Sequence, residues 1–298
     1  MKTPQDFSLM ALEIGVASGT TLLPAPTARV YGGSISECYR WDGEIGSIFV
    51  KVAAVENRAA FEAEAAGLDE LSQVDAIRVP KVLCVGASAA NSWIALEWIR
   101  FGARSRTADF LLGQGLARLH RKTADVFGWR RDNTIASTPQ LNAQLSDWAT
   151  FFRDRRLWYQ FDLARRNGYG GRLQQRGAAL LDRLGQFFDG YQPLPSLLHG
   201  DLWGGNWAAD DHAQPVIFDP AVYYGDREAD VAMTQLFGGF GADFYSGYQA
   251  TWPLDPGFPA RTELYNLYHV LNHLNLFGSG YLARAIAMID SLMAELGH

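Results

Sequence analysis

The sequence predicts an α+β chain of two lobes, a small strand-rich lobe over residues 1–98 and a larger helical lobe over 99–298. Two observations carry this. Ahead of Ile99, short β-prone runs alternate with glycine or charged turns around a single helical pattern. From Phe101 onward, apolar residues recur mainly at helical spacing. No internal repeat and no low-complexity segment interrupts either part, so a solenoid is excluded. A chain of 298 residues is long enough to bury a full core in such an arrangement.

In order, Ala28–Tyr31, Glu37–Trp41 and Ser47–Val52 read as strands. Glu56–Leu71 reads as a helix with Phe61, Ala65 and Leu68 on one face. Val79-Pro80 ends that connection, and Val82–Val85 and Ser92–Trp98 read as two more strands. Glu97–Gly102 is the expected joint between lobes. Thr107–Arg121, Pro139–Leu157, Gly171–Phe188 and Glu263–Leu296 are the expected helices of the second lobe. Val216-Ile217-Phe218 reads as a short apolar strand, and Asp230 as a helix start before Val231, Met233 and Leu236. A ligand is expected in the cleft between lobes, where small-molecule sites are common.

Composition narrows the function. The chain is 48% hydrophobic and 19% charged, the ordinary range of a globular protein. A net charge of −6 argues against a general nucleic-acid or anionic-membrane binder. The stretch Met1–Gly15 lacks the features of a secretory signal, and no apolar run approaches the roughly 18 residues of a membrane span. The two cysteines, Cys38 and Cys84, have no metal-ligand spacing, so a disulfide framework is not expected and the setting reads as cytoplasmic.

The chemistry concentrates in His199-Gly200-Asp201-Leu202-Trp203-Gly204-Gly205-Asn206 and the following Val216-Ile217-Phe218-Asp219-Pro220. Phosphoryl transfer from ATP needs one carboxylate to orient the attacking hydroxyl, and an amide and a second carboxylate to hold Mg2+ against the phosphates. Asp201 suits the first role. Asn206 and Asp219 suit the second, since magnesium takes one or two protein oxygens and leaves room for phosphates and waters. Lys51 closes the run Ile48-Phe49-Val50 and projects from a strand, where its ammonium can neutralise phosphate oxygens. It needs an anionic partner, and the helix offers Glu56, Glu62 and Glu64. Glu64 is chosen because it shares the face of Phe61 and Leu68.

Weaker signals complete the set. Gly32, Gly33 and Ser34 between two strands suit a phosphate-covering hairpin, although a Gly-Gly pair suits any hairpin. Glu97, Trp98 and Ile99 stand at the lobe junction, where main-chain groups can pair with an adenine edge. Asp226 and Glu228 are candidate readers of a substrate amine. Trp203, Tyr223 and Tyr224 offer aromatic faces to a sugar or cation, and serve equally well as core. Asp230 is placed to brace the Asp201 loop through backbone N–H groups. Cys38 reads as a buried strand cysteine, and His120, His212, His269, His273 and His298 form no triad or zinc spacing.

These residues resemble the fructosamine kinase (ketosamine-3-kinase) family. The likeness rests on His199–Asn206, on Asp219-Pro220-Ala221-Val222-Tyr223-Tyr224-Gly225-Asp226-Arg227-Glu228-Ala229-Asp230, and on Leu236–Phe240. It extends through Phe61–Leu68, Leu116–His120, Thr138–Asn142, Asp147-Trp148, Arg156-Leu157 and Leu267–His273, from about Val30 to Tyr281. The resemblance implies a protein-kinase-like bilobal fold, dependence on ATP and magnesium, and phosphorylation of the 3-hydroxyl of free or protein-bound ketosamines. The phosphorylated adduct decomposes and frees the amine, which is deglycation repair. It makes Asp201 the base, Asn206 and Asp219 the metal ligands, Lys51 the phosphate lysine and Glu64 its partner. The segment Gly32–Glu37 matches the family only loosely, and Asp219-Pro220 stands where protein kinases have Asp-Phe-Gly, which argues against activation-loop flipping. A small-molecule kinase of aminoglycoside or choline type is the alternative, because acids near Asp226–Asp230 suit a polyamine as well. A nucleotide-binding scaffold without catalysis would be expected to lack one of these residues, and none is missing.

Overall fold

The computed structural model describes residues 4–30 and 36–297. The chain divides into two compact units, residues 1–104 with 208–219, and residues 105–207 with 220–298. The boundary expected after residue 98 therefore falls after 104, and twelve residues from further along the chain join the first unit. The reason is pairing. Phe101 bridges Asp210, Gly102 N–H donates to the Ala209 carbonyl at 2.9 Å, and Asp211 N–H to the Arg100 carbonyl at 3.0 Å. Phe101 also stacks on Phe218 with centroids 5.5 Å apart.

In the first unit, strands β1 (Ala28–Val30), β2 (Glu37–Gly43), β3 (Gly46–Ala54), β4 (Val82–Ala87) and β5 (Asn91–Glu97) form one antiparallel sheet in the order β1-β2-β3-β5-β4. A helix covers each face. Helix α1 (Pro4–Ser18) packs Met10 and Ile14 against Trp41, Ile48, Val50, Val52 and Trp93. Helix α2 (Arg58–Ser72) packs Phe61 and Leu68 against Ala53, Ile94 and Leu96. The alternation of β3 decides which residues meet which helix. Ile48, Val50 and Val52 point to α1, so Lys51 lies on the side of α2.

In the second unit, α3 (Arg106–His120) is capped by Ser105, whose hydroxyl accepts the Ala108 N–H at 3.1 Å. The helix Ala242–Thr251 lies directly against α3. A methyl group on Gly113 would fall 2.0 Å from the Phe244 carbonyl oxygen, and one on Gly247 would fall 2.2 Å from that of Phe110. The strand Ser196–Leu198 pairs antiparallel with Tyr223–Gly225 and is fully buried. The long helix Phe258–Phe277 runs through the core and stops at Gly278, whose φ of +91° ends it. Leu282–Glu295 follows.

Five expectations are corrected. The helix α1 was not foreseen. Pro139–Leu157 is not one helix: Pro139 sits in the strand Thr138–Gln140, paired with Asn133–Ile135, and the helical run begins at Trp148, capped by Asp147. Glu263–Leu296 is two helices broken at Gly278, and the helix Ala242–Thr251 was missed. The helix placed at Asp230 begins at Glu228. No helix among the described residues is long and apolar enough to cross a membrane.

Candidate functional site

Lys51 reaches from β3 to two carboxylates of its own unit. Its Nζ lies 2.7 Å from Glu64 Oε1 and 2.5 Å from Asp219 Oδ1. The pairing with Glu64 follows from the sheet alternation and from Glu64 standing between Phe61 and Leu68 on the buried face of α2. Glu62, one of the other glutamates on offer, instead pairs with Arg58 at 2.9 Å. Burial alone would depress the Lys51 ammonium, but Asp219 and Glu64 hold its pKa well above the ordinary lysine value. Burial pushes the Glu64 carboxyl up, Lys51 pulls it down, and the nearby Asp219 charge adds to the rise. Asp219 adopts φ +57°, a left-handed conformation uncommon for a residue with a Cβ. Cys38 pairs across the ladder with Lys51, and burial raises its thiol, which fits a plain strand cysteine.

In the second unit, Asp201 follows the buried strand Ser196–Leu198 in a loop held from two sides. Asn206 Nδ2 donates to the Asp201 carbonyl at 2.8 Å and to Asp201 Oδ2 at 3.2 Å. Asp230, buried in the helix Glu228–Leu236, accepts the N–H groups of His199 at 2.7 Å and Gly200 at 2.8 Å. Its third contact, at 3.2 Å, is His120 Nε2. His120 Nδ1 lies 2.8 Å from the Tyr248 hydroxyl, to which Arg227 donates at 3.1 Å. That order fixes the protons: Tyr248 donates to Nδ1, so Nε2 carries the hydrogen that faces Asp230. Burial would raise Asp230, but the contacts from His120 and the backbone hold it below the usual carboxylate range. Burial keeps His120 below the usual imidazole value, hence neutral. Sequence reasoning gave His120 no part here, and nothing local marks it, because its partners lie 110 and 128 residues away.

Asp226 and Glu228 are not available to a substrate amine, contrary to expectation. Both are fully buried. Arg261 grips Glu228 through Nε at 2.7 Å and through a second nitrogen at 3.2 Å. Asp226 accepts from Tyr265 at 2.5 Å, from Tyr191 at 3.0 Å and from the Glu228 N–H at 3.0 Å. A carboxylate out of water needs such partners, and these two have theirs inside the protein. Tyr223 and Tyr224 are also buried, which leaves Trp203, 42% exposed, as the aromatic face open to a ligand.

At the end of β5, the Glu97 N–H donates to the Lys81 carbonyl at 2.9 Å and its carboxylate lies 3.4 Å from Arg78. Trp98 rests against Phe49 and under Arg40, and Ile99 is buried. Gly32, Gly33 and Ser34 lie outside the described residues. For magnesium, the described residues contain no cluster of three or more acidic, histidine or cysteine ligands. The donor chemistry of the two expected residues nevertheless fits. Asn206, whose Nδ2 is engaged by Asp201, has a hard amide oxygen, and Asp219 has a carboxylate; both are donor types that magnesium takes.

The sequence pattern of the fructosamine kinase family matches residues 10–295. The chain belongs to the fructosamine kinase family. It is 43% identical over 295 residues to a protein of Synechocystis named a probable ketoamine kinase, covering 98% of this chain and 99% of that one. It is 43% identical over 270 residues to the chloroplastic protein-ribulosamine 3-kinase of Arabidopsis thaliana, covering 90% and 82%. A solved structure of a candidate fructosamine-3-kinase from Haemophilus somnus superposes with a TM-score of 0.86 at 26% identity, over 95% and 96% of the two chains. The fold of this family member is thus kinase-like, a strand-rich sheet unit followed by a helical one.

Proposed function

We propose that the protein is an ATP- and magnesium-dependent ketosamine 3-kinase. Its substrates are sugar adducts of amines, fructosamines, ribulosamines or erythrulosamines, free or carried on a protein. Phosphorylation of their 3-hydroxyl leads to decomposition and release of the amine, in a cytoplasmic setting. The observation that carries the reading is the ammonium of Lys51 fixed between Glu64 and Asp219.

Each residue then has a task. Lys51, kept charged by its two acids, neutralises phosphate oxygens, and Glu64 holds it in place as the strand presents it. Asp201 accepts and orients the acceptor hydroxyl, a role in phosphoryl transfer that is mainly one of positioning. Asn206 and Asp219 would hold magnesium, which when bound supplies charge neutralisation at the phosphates. Trp98 and Ile99 offer main-chain groups to the adenine, and Trp203 offers a face to the sugar. Asp230 acts through the loop, keeping two N–H groups satisfied so that Asp201 stays aimed. An aminoglycoside- or choline-type reading loses its motive, because the acids that would attract a polyamine are enclosed.

The test is direct. Incubation with ATP, magnesium and ribulosyllysine or fructosyllysine should release ADP and place a phosphate on carbon 3 of the sugar. A protein that turns over kanamycin or choline but no ketosamine would refute the proposal.

A further inference from the structure

Arg156 is fully buried, yet among the described residues no carboxylate lies within 4 Å of it. A cation out of water normally demands an acid. This one lies over Tyr223 at 4.1 Å and Phe151 at 4.8 Å, and its Nε has no hydrogen-bond partner. Its other nitrogens donate to the Leu141 carbonyl at 2.5 Å and to Asn142 Oδ1 at 2.7 Å. It stands in a π-helical turn, Phe152–Leu157, which is uncommon and often functional.

The contact with Asn142 is the first of a directed series. Asn142 Nδ2 donates to Asn133 Oδ1 at 3.0 Å, and Asn133 Nδ2 donates to the Val222 carbonyl at 2.8 Å. Gln140 Nε2 donates to the same Asn133 oxygen at 2.9 Å and to the Ala221 carbonyl at 3.0 Å, while its Oε1 accepts from Tyr268 at 2.9 Å. An amide can turn over and exchange its donor and acceptor ends, so three linked amides admit more than one arrangement. A guanidinium only donates. Carbonyls only accept: Asn142 Nδ2 also donates to the Arg131 carbonyl at 3.1 Å, and the series ends on those of Ala221 and Val222, so the three amides are held in one polarity between a donor-only cation and acceptor-only backbone.

Ala221, the first of that pair, bonds directly to the Asp201 loop. Ala221 N–H donates to the His199 carbonyl at 2.8 Å. Gly200, at φ +81°, is pressed so close that a methyl group on it would fall 2.1 Å from the Ala221 oxygen. We propose that Arg156 is a positioning residue for phosphoryl transfer: a donor-only cation that anchors the Asn142–Asn133–Gln140 relay at the end away from its carbonyl acceptors and so steadies the His199–Asp201 loop through Ala221. The kinetic part rests on the ketosamine-kinase reading, and the structural part does not.

The decisive variant is Asn142→Asp. It keeps the shape and gives Arg156 an anion, but it cannot donate to Asn133. Arg156→Met removes the cation and keeps an apolar stem; Arg156→Lys restores a donor-only cation. Both Asn142→Asp and Arg156→Met should lower kcat about 10- to 100-fold with the KM for ATP changed by less than about twofold. Amide hydrogen exchange over residues 197–206 should quicken by about tenfold or more in both. Arg156→Lys should recover part of each effect. Wild-type kcat and loop exchange in a folded Asn142→Asp or Arg156→Met protein would overturn the proposal. So would a loss of kcat that follows the folded fraction alone while the loop exchanges as before. Absence of any ketosamine turnover in the unaltered protein would instead defeat the functional reading, and loop exchange would still decide the relay.

Discussion

The two clusters of expected site residues are built on opposite principles. In the first unit, Lys51, Glu64 and Asp219 are bound by charge, one cation against two acids, the second acid 168 residues further along the chain. In the second, the Asp201 loop is held by hydrogen bonds with no paired cation: backbone N–H groups on the Asp230 carboxylate, a side-chain amide on the Asp201 carbonyl, and a neutral histidine behind. The ionic trio is over-supplied with negative charge, and is thereby suited to gaining a cation or giving Lys51 to an anion. The loop is held by short, directional hydrogen bonds and is suited to holding still. A phosphoryl-transfer centre needs both, since charge must be neutralised where phosphate sits and direction imposed where the hydroxyl attacks.

Substitutions in the two clusters should therefore fail differently. Asp201→Asn should cost the most, about 10³-fold in kcat with nucleotide affinity nearly kept; isothermal titration beside steady-state kinetics separates these, and retained turnover would remove Asp201 from the reaction. Lys51→Met should come next, about 10²-fold in kcat/KM and expressed partly in the KM for ATP. Equal nucleotide binding by this variant would break the distinction drawn above. Asp230→Asn should lower kcat about tenfold and also lower Tm, because one carboxylate now serves three donors.

The smallest effects concern stability rather than rate. Glu228→Gln should leave substrate KM unchanged and cost about 3 kcal/mol, since Arg261 loses its bidentate acid. A selective rise in KM for amine-rich substrates would return Glu228 to the substrate site. His269 is buried and pushed down to about 3 by desolvation and by the neighbouring His273. Below the unfolded value of 6.5 the unfolded chain binds the extra proton first, so this contribution is whole above pH 6.5 and lost as pH falls. Between pH 6.5 and 5 the loss is about 2 kcal/mol. A thermal-melt series over that range should flatten in His269→Gln.

What the sequence disclosed follows the same division. The trio's first pair was legible because strand alternation and helical spacing are local rules: Lys51 after Ile48-Phe49-Val50, and Glu64 between Phe61 and Leu68. The bracing by Asp230 was readable from a helix start near a glycine loop. The roles of Asp226 and Glu228 were misread because polar residues beside aromatics look the same whether exposed or enclosed, and their partners, Arg261 and Tyr265, lie 33 and 39 residues on. Pro139–Leu157 imitated a helix because its apolar spacing ran through a strand, a loop and a helix without a visible break. His120, Gln140, Asn142 and Arg156 lie in segments that carried the family likeness, but their roles had no local signal, since the groups they act on are brought near only by folding.

The seam between α3 and the helix Ala242–Thr251 bears on how this enzyme family member can be altered. Gly113 and Gly247 let two main chains touch, and Tyr248, the next residue, carries the hydroxyl behind His120. A single added carbon at either glycine acts as a wedge, prying Tyr248 from its imidazole. Mutational scans will score both positions as if they were part of the chemistry, although neither is near a reacting atom in sequence. Libraries aimed at widening the substrate range should leave these two positions fixed.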